Sequence, residues 1–490
     1  MHYNADRIEV PLLSQGRRIA GSSTALLIGN FANKVTGLLV MLTVARLLGV
    51  DRLGLYTAVY AYVIMFSLAT DLGFSTVVTR QLSQDVDEGR RWLGNALLLR
   101  WPLAIISYVI CIGGAFLFYG SGERTWLIVI SAVSFLLSPL SASTAVFQSR
   151  MLLRIPTTIS LASRLLLLVV VQWLARTGGT IQALVVAEVT LGAMNSITVW
   201  LWSRWLIKPI WQFDWTAVRA LMIEGVPLFL TSAFVALYFR IDVFFIDHYR
   251  VQSLSEIGVY AAAYRLTESM GLIAQALTSS IFPVLCQQIQ AGSQASLVKL
   301  IRISLKILLG VAVAIAIVLT FYSQTVITLL YGGKFEGAAP LLAILACNQI
   351  LVYTNILTST ILVARGQSRT LMLITMAMLV WNIALNFLFI PRYGALGAAW
   401  TTMSTELAGT VCCVLATSTG KVLFETITRL AIPAVACMGL LLLFAPGQAN
   451  SRMAAIEQMS AVLTVYTAAV MLLRVFNSEE REHLRRLAWQ

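Results

Sequence analysis

Charge is scarce in this chain. Of 490 residues only 12% are Asp, Glu, Lys or Arg, 58% are hydrophobic, and the mean hydropathy is +0.82. Histidine is scarcer still: His2, His248 and His483 stand too far apart in sequence to suggest a metal site or a general base. The six cysteines, Cys111, Cys286, Cys347, Cys412, Cys413 and Cys437, lie in or at the ends of apolar runs without metal-ligand spacing. They read as small hydrophobes within helices. No GxxxxGK[ST] motif is present, which excludes an ATP-driven pump within the chain, and there is no HExxH. The glycine-rich GGKFEG at 332–337 falls on an expected outer loop and reads as a turn. Nothing calls for a cofactor or a nucleic acid, and no polar stretch is long enough for a soluble domain. The catalytic site of a membrane glycosyltransferase or polymerase would need a larger loop than the longest connection here.

What is present is apolar sequence in runs of roughly 18–25 residues, the signature of an all-α polytopic membrane protein. Fourteen spans are expected, at about 21–47, 53–78, 94–118, 125–147, 156–175, 180–203, 226–248, 256–285, 303–322, 338–363, 370–390, 394–418, 424–444 and 454–475. Lys plus Arg exceed Asp plus Glu by 35 − 22 = +13. Cytoplasmic loops that collect Lys and Arg, or a basic cavity that receives an anion, would account for the excess. With the N-terminus inside, 20 Lys and Arg fall on inner segments. Seven fall outside: Arg52, Arg124, Arg176, Arg250, Lys334, Arg392 and Arg452. Both ends are therefore expected in the cytoplasm. The N-terminal MHYNADRIEVPLLSQGRRIAG, without a cleavage-type signal, reads as a short tail. The C-terminal SEEREHLRRLAWQ reads as a surface helix.

The chain repeats itself. Arg46, Gly54, Tyr56 and Tyr60 recur at an offset of 204 as Arg250, Gly258, Tyr260 and Tyr264. Tyr119-Gly120 returns as Tyr331-Gly332, and Gly178 returns as Gly394. The order of the matches points to two six-helix lobes, related as parallel repeats, with two helices appended. The expected divisions are 1–203 for the first lobe, 204–225 for a linker, 226–418 for the second lobe and 419–490 for the last two spans and tail. Trp205, Trp211, Phe213 and Trp215 suit a linker lying in the inner membrane interface.

Ionisable residues inside the spans carry the functional signal. A charge near mid-membrane costs roughly 2.5–3.5 kcal/mol on insertion scales, so such residues face a cavity or a partner. Lys34, Arg240 and Arg265 are candidates to line a cationic cavity, with Arg46 near an outer end. Arg46, Arg80 and Arg164 can instead snorkel to headgroups. Asp71, Asp242, Glu268 and Glu406 are candidates for ion coupling, against structural hydrogen-bonding or salt-bridge roles. Arg265 and Glu268, at i,i+3, can also neutralise one another. Arg240 can reach Asp242 only by way of a neighbouring helix, since i,i+2 side chains diverge. Asn30 and Asn33 flank Lys34, and Asn382 and Asn386 lie one turn apart in the eleventh span. The tyrosines 56, 60, 62, 260 and 264 serve helix packing or stack against sugar rings.

VARLLGVDRLGLYTAVYAY followed by TDLGFSTVVTRQLS resembles the start of the polysaccharide-repeat-unit flippases, the Wzx type. These belong to the multidrug/oligosaccharidyl-lipid/polysaccharide exporter superfamily. EIGVYAAAYRL, LLYGGKFEGAAPLLAIL and IPRYGALGAAWTTMSTEL are similar to the family's second half. The resemblance implies a bacterial inner-membrane protein that moves an undecaprenyl-diphosphate-linked oligosaccharide from the cytoplasmic to the periplasmic leaflet. Its product would enter O-antigen, capsule or exopolysaccharide, with membrane lipids and the pathway's polymerase and chain-length regulator as partners. YAAAYRL also resembles the lipid II flippases, in which an arginine matching Arg265 lies by the cationic cavity. The alternatives are a cation-coupled multidrug antiporter of the same superfamily and a lipid II flippase. The basic Lys34, Arg240 and Arg265 weigh against a cation exporter, which wants acidic, aromatic cavities.

Overall fold

The computed structural model describes residues 12–250, 254–443 and 452–473, with Val475 and Glu480; side chains are described from Gly29 onward except at 227, 228, 231, 440–443, 452 and 455. The first part of the expected N-terminal tail and most of the expected C-terminal surface helix lie outside the described residues. The chain packs as two compact units. One comprises Met1–Thr43 with Phe66–Phe229, the other Val44–Met65 with Leu230–Gln490.

The fold is all-α, with no strand among the described residues. In chain order the helices are α1 (Leu12–Ser67), α2 (Phe74–Gln84), α3 (Val86–Tyr119), α4 (Glu123–Leu137), α5 (Thr144–Ser149), α6 (Arg154–Thr177), α7 (Ile181–Leu206) and α8 (Trp215–Tyr238). There follow α9 (Ile241–Tyr249), α10 (Leu254–Gln290), α11 (Gln294–Phe321), α12 (Ser323–Leu330), α13 (Ala338–Ala364), α14 (Ser368–Thr417), α15 (Gly420–Leu443) and α16 (Arg452–Leu472). Among the described residues nine helical segments are long and apolar enough to cross a membrane. The expected spans outnumber them partly because helices run together. α1 joins the first two expected spans through a backbone break at Gly49, and α14 joins the eleventh and twelfth through one at Gly394.

Three expected spans are not continuous α-helices. The fourth, 125–147, passes from α4 through a 3-10 stretch at Ser138–Ser143 into α5. The second, 53–78, stops at Ser67, passes through a 3-10 turn at Leu68–Thr70 and two left-handed residues, Leu72 and Gly73, and resumes as α2. There the backbones touch: a Cβ on Gly73 would strike the Gly225 carbonyl, and one on Gly225 would meet the Leu72 carbonyl. An ion pair between Arg80 and Glu224 ties the same two segments together. The seventh expected span, 226–248, breaks at Phe239–Arg240, between α8 and α9. No glycine or proline marks that break.

The matched glycines do matched work. Gly120 and Gly332 both have positive φ, 67° and 96°, and each closes a helix end where a Cβ would be strained. Gly178 and Gly394 are also left-handed. Gly54 and Gly258, the pair at offset 204, pack into one close crossing. A Cβ on Gly54 would strike the Leu254 carbonyl, and one on Gly258 the Val50 carbonyl. Small residues at such a crossing let two helix backbones approach without side chains between them.

The expected 204–225 linker is partly helical. Its extended stretch, 207–214, lies along α3. Arg90 Nε donates to the Lys208 carbonyl, and Asn95 Nδ2 donates to the Gln212 carbonyl. Asn95 Oδ1 accepts from the Asp214 amide. Asp214 then caps α8 by accepting from the amide and hydroxyl of Thr216, and these hydrogen bonds hold its carboxyl below the usual carboxylate range. Trp205, Trp211, Phe213 and Trp215 are all exposed, as interfacial side chains would be.

In the second unit α11 packs against α13 and α15 through Leu305, Leu308, Leu309, Leu357 and Leu430. Lys306 is buried within this layer, and its ammonium donates to both carboxylate oxygens of Glu480 at 2.8 and 2.6 Å. Arg302, one turn earlier, pairs with Glu425 at 3.2 Å. Cys111, Cys413 and Cys437 are buried thiols.

Candidate functional site

The break between α8 and α9 interrupts an apolar segment and puts two opposite charges beside it. Arg240 stands at the break and Asp242 in the first turn of α9, where a helix N-terminus favours an anion. The two side chains find different partners, as their i,i+2 spacing requires.

Asp242 is 3% exposed and held by three neutral donors. Tyr260 Oη on α10 donates to its Oδ2 at 2.8 Å, Thr402 Oγ1 on α14 to the same oxygen at 3.0 Å, and Asn386 Nδ2 to its Oδ1 at 2.6 Å. Asn386 Nδ2 also donates to Asn382 Oδ1, and Asn382 Nδ2 to Thr405 Oγ1. The two asparagines one turn apart thus form a polar ladder from the carboxylate into α14. Asn386 Oδ1 is buried and accepts no hydrogen bond. The carboxylate, amide and hydroxyl oxygens gathered here are hard donors of the kind a small monovalent cation takes.

Glu406 is the second buried carboxylate, one turn beyond Thr402 on α14. Tyr238, the last residue of α8, donates to its Oε1 at 2.6 Å, and Asn355 on α13 donates to its Oε2 at 3.0 Å. The bonds to Glu406, like those to Asp242, come from neutral groups, and burying a carboxylate is expensive without compensation. Tyr260 stacks on Tyr264, their centroids 5.6 Å apart, so the tyrosine pair is part of the polar core rather than only packing.

Arg240 turns instead to Glu268. Its Nη2 lies 3.7 Å from Oε1, while Arg265 Nη1 lies 3.2 Å from Oε2. Two guanidiniums thus share one carboxylate, a local excess of one positive charge. These side chains are 17%, 31% and 39% exposed, in the order Arg240, Arg265, Glu268. They are therefore reachable where Asp242 and Glu406 are not.

The remaining candidates are placed otherwise. Arg46 donates from Nε and Nη2 to the Leu330 and Leu329 carbonyls, at 2.8 and 2.7 Å, and so caps the C-terminus of α12. Lys34 is exposed on α1 in the other unit. Its neighbour Asn33 bonds to the Gly29 and Thr157 carbonyls and staples α1 to α6, where Arg164 lies against Gly37. Asp71, in that same unit, pairs with Arg100 at 3.3 Å and accepts from the Ser75 amide and hydroxyl. Arg100 itself was not among the sequence candidates. It is 2% exposed and also bonds to the Thr70 and Ser138 carbonyls and the Ser75 and Ser141 hydroxyls. An arginine six residues inside an expected span was the available signal. Among the described residues no group of three His, Cys, Asp or Glu could hold a metal ion.

Comparison with known proteins places this helical bundle among solved transporter folds. The solved structure of the lipid II flippase MurJ in its inward closed conformation superposes with a TM-score of 0.76 at 16% identity, covering 92% of this chain and 98% of that one. A multidrug/oligosaccharidyl-lipid/polysaccharide superfamily transporter from Pyrococcus furiosus gives 0.57 at 14% identity, covering 82% and 95%. The fold is therefore that of the MurJ and MATE transporters. In sequence, the chain is 24% identical over 402 residues to the probable low-salt glycan biosynthesis flippase Agl15 of Haloferax volcanii, covering 80% of this chain and 82% of that protein. Residues 43–340 match the family described as polysaccharide biosynthesis protein, and the chain belongs to that family.

Proposed function

We propose that this protein is a flippase that carries an undecaprenyl-diphosphate-linked oligosaccharide from the cytoplasmic to the periplasmic leaflet of a bacterial inner membrane, with both termini cytoplasmic. The flipped unit feeds O-antigen, capsule or exopolysaccharide synthesis. The observation that carries the reading is the reachable Arg240–Glu268–Arg265 cluster with its excess positive charge. A diphosphate cannot enter hydrocarbon uncompensated, and arginine forks match phosphate oxygens in charge and geometry. Lys34, exposed on the first span, supplies a further cation to the cargo. The similarity to a glycan flippase supports the same cargo class. Alternating access moves the head past these groups while the prenyl tail stays in lipid. The protein performs no covalent chemistry in this reading.

The two buried carboxylates supply the energy coupling. Asp242 takes a monovalent cation or proton among Tyr260, Asn386 and Thr402, and Glu406 is a second candidate. Such carboxylates would also suit a multidrug antiporter, so the experiment separates the two. Deletion is expected to leave lipid-linked repeat units facing the cytoplasm and to abolish surface polymer. Cells that instead become sensitive to cationic dyes while making normal polymer would establish drug export. Arg265→Ala and Lys34→Ala are each expected to lower polymer several-fold at unchanged membrane abundance. Normal polymer in both, at native expression, would remove the cationic binding role.

A further inference from the structure

Glu268 occupies the place that an anionic headgroup would take. Its two carboxylate oxygens are divided between two arginines, Arg240 at the α8–α9 break and Arg265 one turn away on α10. Neither arginine is paired with Asp242, whose hydrogen bonds come from neutral donors. The arginines are thus held together by a tethered anion of lower charge than a diphosphate, at a site open enough for exchange. Each ion pair is partly open to solvent, so the two together are strong enough to organise the arginines and weak enough to be displaced.

We propose that Glu268 is a built-in competitor for the cargo's diphosphate. It preorganises Arg240 and Arg265 before cargo arrives, swings away when phosphate oxygens take its place, and reclaims the arginines as the headgroup leaves. The inference rests on the reading of the cargo as a diphosphate-headed lipid. It gives Glu268 a role different from ion coupling: lowering affinity so that release is not rate-limiting. Tight binding of a transported ligand slows turnover unless something offsets it at the exit.

The test uses the full chain in lipid nanodiscs. Three probes are measured by native mass spectrometry: undecaprenyl diphosphate, inorganic pyrophosphate and phosphatidylglycerol. Wild type is expected to bind undecaprenyl diphosphate better than phosphatidylglycerol. Glu268→Gln is expected to bind both diphosphates roughly three- to tenfold more tightly, yet to support less surface polymer in cells. Glu268→Asp, whose shorter carboxylate falls back from the arginines, should shift both readouts the same way and covers the case in which the Gln variant misfolds. Pyrophosphate tightening together with the lipid places the effect on the headgroup rather than the tail. If wild type shows no preference for undecaprenyl diphosphate, the cargo reading fails. If that preference holds but neither variant binds more tightly, the competitor proposal alone fails, and a merely structural Glu268 would show this result or weaker binding.

Discussion

Asp242→Asn is expected to abolish polymer export while the protein reaches the membrane at near wild-type abundance. Asparagine keeps the shape of the side chain and removes its charge. Tyr260 and Thr402 can still donate to the remaining carbonyl oxygen, and the Asn386 amide can flip to present its Oδ1 at the cost of its bond to Asn382. What is lost is the anion that a coupling ion would bind. Polymer is expected to fall at least about tenfold, the effect of 1.4 kcal/mol on an equilibrium. Asp242→Ala should behave differently. It strands three buried donors, each costing on the order of 1–3 kcal/mol, and is expected to deplete the protein from the membrane. Immunoblots of membranes beside polymer assays separate the two outcomes. An Asp242→Asn protein that exports normally, with unchanged response to sodium and pH, would leave the coupling assignment without support.

Arg100→Met is expected to be the most damaging substitution for folding. The guanidinium gathers Asp71, two serine hydroxyls and two carbonyls around the interrupted second span. One of those carbonyls, on Thr70, belongs to the 3-10 turn where regular helix bonding has stopped. Losing the buried guanidinium leaves the Thr70 and Ser138 carbonyls without this donor, at about 1–3 kcal/mol for each that stays buried. Lysine should not rescue, since a single ammonium cannot span the positions a fork reaches. Fluorescence-detected size-exclusion of detergent extracts is expected to show loss of the monodisperse peak for both variants. Asp71 is half-exposed, so Asp71→Asn should keep the peak and retain transport. Loss of transport by Asp71→Asn with the peak intact would return that carboxylate to a coupling role.

The fold was legible because apolar run length and glycine recurrence are local properties. The repeat at Gly120 and Gly332 could be seen in the sequence because only glycine is comfortable at those φ values. Asp242, Glu406 and the two arginines were legible because charge stands out against hydrocarbon. Their partners were not. Tyr238, Asn355 and Thr402 are uncharged and common in membrane helices, and Asn386 meets Asp242 across 144 residues of chain. Arg240 reaching Glu268 depends on a helix break that no proline or glycine announces. For Arg46 the sequence offered a cavity or a headgroup role, and the two carbonyls that it caps, 283 and 284 residues away, could not be read from its position.

The Lys306–Glu480 contact bears on how this protein can be handled in the laboratory. A fluorescent reporter spliced in upstream of position 480 would strip that lysine of the carboxylate that grips it, and expression screens would then blame the tag for an injury made by the cut. Joining the reporter downstream of Glu480 leaves the clasp between α11 and the trailing segment intact.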